Sequence, residues 1–476
     1  MNEEIIKICI YFLEREGVKF LKNTGNGTLC LYKEEEYTWY RNTPFKIYHN
    51  KPYKNVDFFS EISKLKTFKK AYQNKCAGDL QEVLELDDKE LYQIEVNTQD
   101  LDRHKDDVEN FLLNYSILKV QSPMATRKTN IIYEIIEQSS DKNILMITNR
   151  RSLAQEAYAK YKKYDFHYYE HKNYNGGNII VQFDSLYKYD VRDFDIVIID
   201  EITSLLMYIT EPYKGKEDKY QRNIDTFFSI DEYNKIVLLD SFILYNPFGG
   251  KTLKIYNAFR ENVEAIEYLD KYRFLSSIIR KAQKEPISIS SNQKNILKKI
   301  HNKLQKKGIR CLLLTGDNPN KDKILEELQE VQSLEEYGYD VLLYSPVVTT
   351  GISFFFNIKN HYHYDTSGTI DAVNSIQMIR RMRNVKCIHF FIQGKVSYLS
   401  TDRNKITYSN KVLNLFKMFN RRRVYLGLTI SGEKLLELIR IKNILSNTHK
   451  YAFRELMKYQ FKEVKINTLS ADAFKI

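Results

Sequence analysis

At 476 residues with 43% hydrophobic content, the chain is too long for one ordinary core and divides into several domains. Its 73 Lys+Arg against 61 Asp+Glu leave a net charge of +12, spread along the chain, which favours a polyanionic partner. The odd count of five cysteines, Cys9, Cys30, Cys76, Cys311 and Cys387, without a Cys-x-x-Cys pair, argues against a disulfide framework and a zinc ribbon. They fit an intracellular, reducing compartment, and no apolar run approaches membrane-spanning length.

The chain starts with "MNEEIIKICIYFLEREG", an amphipathic helix that lacks the basic segment of a signal peptide. Residues 1–115 read as an accessory region of mixed structure. Trp39, between Tyr37 and Tyr40, is read there as part of a small core. From 116 the text alternates short β-rich runs with helical stretches: "NILMITNR", "GNIIVQF", "FDIVIIDE" and "NKIVLLDS". Runs apolar on both faces and separated by helices predict buried parallel strands in an α/β layer over 116–250. "YNPFGGK" (245–251) reads as a domain junction. The pattern recurs over 251–399 with "PISIS", "IRCLLLTGD", "YDVLLYSP" and "KCIHFFIQ", so a second α/β layer follows. Residues 400–476 read as a mainly helical extension, with Ser431 as the cap of "SGEKLLELIRIKNIL".

Ligands of such layers sit at the carboxyl ends of the strands, so the polar residues that end them are the candidates. "SPMATRKT" (122–129) precedes a helix, as a phosphate-binding loop would. Its backbone N–H groups would cradle phosphate, Lys128 would reach the β/γ-phosphates and Thr129 would hold Mg²⁺. The loop positions that are usually glycine are not glycine here. "VIIDE" is the form of a strand that delivers Asp200 to a metal and Glu201 to an attacking water. In "QMIRRMRN" a helix would put Gln377 and Arg381 on one face, with Arg383 rotated away. Arginines brought from a second domain are a device for stabilising charge on a transferred phosphate.

Taken in order, these segments resemble superfamily 2 helicases, specifically the group of herpesvirus origin-binding proteins and related helicases of large DNA viruses. "ITNRRSLAQE", "VQFDSL", "IIDEITSLL", "LLDSF", "YSPVVTTGISF" and "QMIRRMR" follow the loop in that group's order, over about residues 116–395. The resemblance implies two tandem RecA-like parallel-sheet domains, with an N-terminal accessory region and a helical C-terminal extension. It implies ATP and Mg²⁺ in the inter-domain cleft, with Ser122, Ala125, Thr126, Arg127, Lys128, Thr129 and Gly351 around the nucleotide and Thr129 and Asp200 on the metal. Glu201, Gln377, Arg381 and Arg383 would be catalytic. Arg150, Arg151, Gln182, Ser185, Ser290, Ser291 and Thr350 would touch nucleic acid, and Asp240 and Ser241 would couple hydrolysis to motion. The implied partner is single-stranded or forked DNA, rather than RNA or a membrane, with other replication proteins.

Ala125 and Arg127 depart from the group's pattern, since each adds a Cβ where the loop ordinarily has glycine. The enzyme reading, an ATP-dependent DNA helicase or translocase in viral replication, therefore stands beside two alternatives. One is a weakened or inactive strand-binding module; the other is an RNA helicase or remodelling ATPase. "HYHYD" (361–365) reads as a strand at a domain surface rather than a metal site, and "NRRRVYL" (420–426) as a basic run on a solvated face.

Overall fold

The computed structural model describes residues 3–467, apart from scattered positions between 25 and 90 and the segments 172–173, 211–216, 347–352, 367–370, 394–398 and 400–429. It divides into two units, Met1–Glu82 and Val83–Ile476.

The first unit joins helix α1 (Glu3–Arg15) to an antiparallel meander, β1 (Lys19–Thr24), β2 (Gly27–Tyr32), β3 (Glu35–Trp39), β4 (Lys46–Tyr48) and β5 (Val56–Asp57). Cys9, Leu13, Cys30 and Ile47 are fully buried in it. Trp39 is 6% exposed and meets Phe20 edge-on at 5.3 Å, so it is a core residue, as the sequence predicts.

The second unit opens with a layer of eight parallel strands. Its elements are β6 (Leu91–Val96), α2 (Lys105–Asn114), β7 (Ile117–Gln121), α3 (Thr129–Gln138), β8 (Ile144–Thr148), α4 (Arg151–Tyr161), β9 (His167–Tyr168), β10 (Ile179–Gln182), β11 (Ile196–Asp200), α5 (Ile202–Ile209), α6 (Glu217–Phe228), β12 (Lys235–Asp240) and β13 (Thr252–Asn257). The order across the sheet is β6-β13-β7-β12-β11-β8-β10-β9. Strands β7, β8 and β11 are buried over nearly their whole length, which is why they read as unbroken apolar runs.

The other layer has seven parallel strands: β14 (Glu261–Tyr268), α7 (Lys271–Ala282), β15 (Ile287–Ser291), α8 (Lys294–Gln305), β16 (Cys311–Leu314), α9 (Lys321–Glu330), β17 (Val341–Tyr344), β18 (Asn360–Thr366), α10 (Ala372–Ile379) and β19 (Cys387–Gln393), then α11 (Ile430–Asn447), α12 (His449–Gln460) and β20 (Phe461–Asn467). Their order is β16-β17-β15-β18-β19-β14-β20. These are the two tandem RecA-like layers that the sequence implies.

The boundaries differ from expectation. β6 and α2 lie outside the predicted 116–250 and yet belong to the first layer, with β6 paired to β13. β6 was hidden because it is an edge strand that leaves Tyr92, Gln93 and Glu95 exposed, so it writes no apolar run. β13 follows the predicted junction but returns to pair with β7, so the crossover to the second layer comes after Asn257. Gly250, at φ +134°, makes this return possible, because a Cβ there would lie 2.9 Å from that of Ser116. The C-terminal extension is not purely helical, since β20 adds the last strand to the second sheet beside β14. Ser431 sits inside the first turn of α11 rather than capping it. "HYHYD" is no surface strand: β18 is buried throughout, between β15 and β19.

Candidate active site

The loop between β7 and α3 carries strain at the two positions in question. Ala125 has φ +65° and Arg127 φ +57°, the left-handed conformation that glycine adopts without penalty. Hydrogen bonds hold it there. Asn257 Nδ2 donates to Ser122 Oγ at 2.9 Å, and Thr126 Oγ1 donates to the Pro123 carbonyl at 2.6 Å. The Leu101 N–H donates to the Thr126 carbonyl at 2.9 Å. The Arg127 side chain, 68% exposed, turns outward to Asp100 at 3.3 Å, so its added bulk stays out of the loop's interior. Lys128 folds back, with Nζ donating to the Ser122 carbonyl at 2.9 Å.

Three carboxylates surround that ammonium. Burial pulls Lys128 below the ordinary amine range, opposed by Asp240, Asp200 and Glu201. Burial likewise pushes Asp200 and Asp240 above the ordinary carboxylate range. Glu201 is pushed up to about 7, chiefly by burial, with Arg381 opposing. Glu201 also sits at φ +56°, in the junction from β11 to α5, and its Oε2 is buried without a hydrogen-bond partner. Asp240 links the motifs. Its carbonyl accepts the Ser122 N–H at 3.1 Å, and its carboxylate accepts the N–H groups of Thr203 at 2.8 Å and Ser241 at 2.7 Å.

From the second layer, Gln377, Arg381 and Arg383 line the same cleft, of about 1010 Å³, as Lys128, Thr129, Asp200 and Glu201. Gln377 is 2% exposed, and Ser204 Oγ donates to its Oε1 at 3.4 Å. Arg381 Nη2 lies 3.7 Å from Glu201 Oε1. Arg383 Nε donates to Ser353 Oγ at 3.1 Å, while its Nη1 is buried without a partner. Burial, reinforced by Arg380 and Arg381, pulls Arg383 down to about 10. The helical face predicted for Arg381 is not formed. α10 stops at Ile379, and Met382 bridges to Phe354, with the Arg383 N–H donating to the Phe354 carbonyl at 2.9 Å. It is this turn, not helical rotation, that aims Arg383.

The residues assigned to nucleic acid separate. Arg151 is exposed beside Glu170 at 2.8 Å, and Gln182 ends β10, accepting the Tyr169 hydroxyl at 3.0 Å. Ser185 is buried just beyond it. Arg150 lies within electrostatic reach of Glu201, Arg381 and Asp371, on the cleft side. Ser290 and Ser291 are fully buried, contrary to the expectation of a strand contact. Ser290 Oγ shares hydrogen bonds with His361 Nε2 at 2.8 Å and His363 Nδ1 at 2.7 Å, so these two histidines of β18 occupy it instead. Thr350, Gly351 and the 420–426 basic run lie outside the described residues.

Sequence reasoning missed Asn257, Arg380, Glu261 and Gln460. Arg380 is 2% exposed and ion-paired to Glu261. Only the position of Arg380 inside the arginine motif gave any signal; the others make contacts across more than a hundred residues of chain.

Comparison with known proteins finds the following similarities. Residues 100–238 match the family model described as origin of replication binding protein. The inferred replication origin-binding protein of Acanthamoeba polyphaga mimivirus is 26% identical over 380 residues, covering 72% of this chain and 45% of that protein. An uncharacterized helicase-type protein of the same virus, R8, is 26% identical over 362 residues, covering 67% of this chain and 34% of that protein. The chain thus spans less than half the length of these two relatives. Among solved structures, Dbp5 of Saccharomyces cerevisiae bound to RNA and ADP BeF3 overlays 81% of this chain and 99% of its own, with 14% identity and a TM-score of 0.42.

Proposed function

We propose, from a chain similar to the viral origin-of-replication binding proteins and helicases, that this is the motor portion of an ATP-dependent superfamily 2 DNA helicase or translocase acting in replication. The observation that carries the reading is the meeting of Lys128, Asp200 and Glu201 from one layer with Arg381 and Arg383 from the other, in one cleft. A buried guanidinium with an unpartnered N–H, crowded by two more arginines, is stabilised by an anion. A nucleoside triphosphate supplies that anion, and a cleft of about 1010 Å³ has room for it.

In this reading Lys128 and the loop N–H groups of Ala125, Thr126 and Arg127 bind the phosphates. Thr129 and Asp200 would hold Mg²⁺, which would neutralise charge on the triphosphate. Glu201 accepts a proton from the attacking water. Arg381 and Arg383, with Gln377, stabilise charge on the transferred phosphate. Asp240 and Ser241 tie the loop to α5. Arg150, Arg151, Gln182 and Ser185 are the candidates for phosphate contacts with the nucleic acid, which give register without reading sequence. The nucleic-acid partner is single-stranded or forked DNA.

The test is ATP hydrolysis with and without single-stranded DNA for the wild type, Lys128→Ala and Arg383→Ala. Strand-stimulated turnover is expected in the wild type, with losses of about 100-fold or more in each variant. A wild type no faster than Lys128→Ala overturns the enzyme reading. A second reading, a strand-binding scaffold without hydrolysis, is favoured by the left-handed Ala125 and Arg127. It predicts a silent wild type and an active Arg127→Gly. Stimulation by RNA in preference to DNA would instead point to an RNA helicase or remodelling ATPase.

A further inference from the structure

Gln460, the last residue of α12, is 1% exposed and bridges the two layers. Its Oε1 accepts the Met124 N–H at the apex of the phosphate loop, at 3.1 Å. Its Nε2 donates to Glu261 Oε1 at 2.7 Å. The other oxygen of Glu261 is held by Arg380. A continuous path therefore runs from the loop of the first layer, through the C-terminal helix, to the arginine cluster of the second. The loop's other holds described above, from Asn257 and Leu101, come from its own layer.

The loop has a specific need for such a hold. Met124 directly precedes Ala125, and a backbone with two left-handed non-glycine residues relaxes unless its surroundings fix it. A buried amide side chain with one acceptor and one donor, each engaged by a different layer, fixes the apex and the layer spacing together.

We propose that Gln460 is a positioning residue for the phosphate loop, through which the C-terminal helix sets nucleotide affinity and links the loop to the arginine cluster. This rests on the nucleotide-hydrolysing reading above. Gln460 touches neither phosphate nor the reacting atoms; it acts through the Met124 N–H.

Two readouts on the full chain test this separately. Amide hydrogen exchange of the nucleotide-free protein follows residues 122–128, and titration with a fluorescent ATP analogue follows affinity. In Gln460→Leu, which removes both hydrogen bonds, loop exchange is expected to accelerate and affinity to fall about fivefold or more. The swapped pair Gln460→Glu with Glu261→Gln keeps the acceptor toward Met124 and restores a donor between the two side chains, so its loop exchange is expected to return toward wild type. Exchange outside the loop, unchanged in Gln460→Leu, marks the protein as folded. Unchanged loop exchange in that variant overturns the proposal, as does faster exchange with wild-type affinity. A wild type that binds no nucleotide, with loop exchange still faster in Gln460→Leu, leaves the hold in place but removes the nucleotide reading and the affinity role with it.

Discussion

Three of the seven left-handed non-glycine residues among those described, Ala125, Arg127 and Glu201, ring a single cleft. Such strain persists only where surroundings over-determine it, and it gathers at functional sites. Relieving it has a calculable sign. A non-glycine residue in this conformation costs about 1–2 kcal/mol, and the extra freedom of glycine in the unfolded chain returns about 0.4–1 kcal/mol of that. Ala125→Gly should therefore stabilise the protein by about 0.5–1 kcal/mol, read as a shift in urea midpoint. Arg127→Gly should be close to neutral, because it also loses the exposed pair with Asp100, itself about 0–1 kcal/mol. Destabilisation by Ala125→Gly would show that the strain assignment is wrong. Glu201 supplies a pH dependence. A general base works as the carboxylate, and burial pushes this one up to about 7. Activity should then rise with pH through about 7 and level off above it, measured as kcat/KM, which reports the free enzyme. Glu201→Gln should lose about 100-fold or more and its rising limb. A wild-type profile flat across neutral pH would exclude Glu201 as the base. Lys128, Asp200 and Glu201 were legible because each ends a strand or opens a helix within a short motif. Glu261 and Gln460 were not, because nothing local marks a side chain whose partner is some two hundred residues away.

The element that most changes its meaning on folding is α12. Periodicity makes it a helix but does not reveal what it holds. It packs on α10, which leads into the arginine turn, and its Arg454 forks onto Glu267 of β14 at 2.8 and 2.6 Å. Glu267 is 2% exposed, so removing Arg454 leaves a buried carboxylate with only the looser ion pair to Lys450, at 3.9 Å. Arg454→Met should cost about 2 kcal/mol, below the range for wholly buried pairs because Arg454 is itself partly exposed. Adding Glu267→Leu should recover most of that loss. Denaturant midpoints of the two single variants and the double variant check it, and additive losses would rule the ion pair out as the anchor. β18 teaches the converse. Its alternating histidines were legible, but their surroundings were not. Ser288, Ser290 and, through Asp365, His449 of α12 fill their hydrogen bonds.

At the scale of the whole second unit, the C-terminal segment straps the layers. Leu435, Leu436, Leu438 and Ile439 of α11 enter the core on one face of the first sheet, and Lys434 pairs with Asp231 at 3.0 Å. α12 and β20 then join the second layer. Under the proposed function, closing the cleft on a nucleotide would move or flex this strap, which places Gln460 at a mechanically useful point. The tandem layers and the polar segments that meet in the cleft were determined by the sequence itself, because parallel strands buried on both faces write continuous apolar runs and chemistry collects at their polar ends. The tertiary structure alone decided which sheet received β6, β13 and β20, whether Ser290 met solvent or histidine, how Arg383 was aimed, and what held the loop at Ala125 and Arg127. Each of those depends on contacts between distant segments, and a side chain's burial and hydrogen-bond partners do not exist until the chain has folded around it.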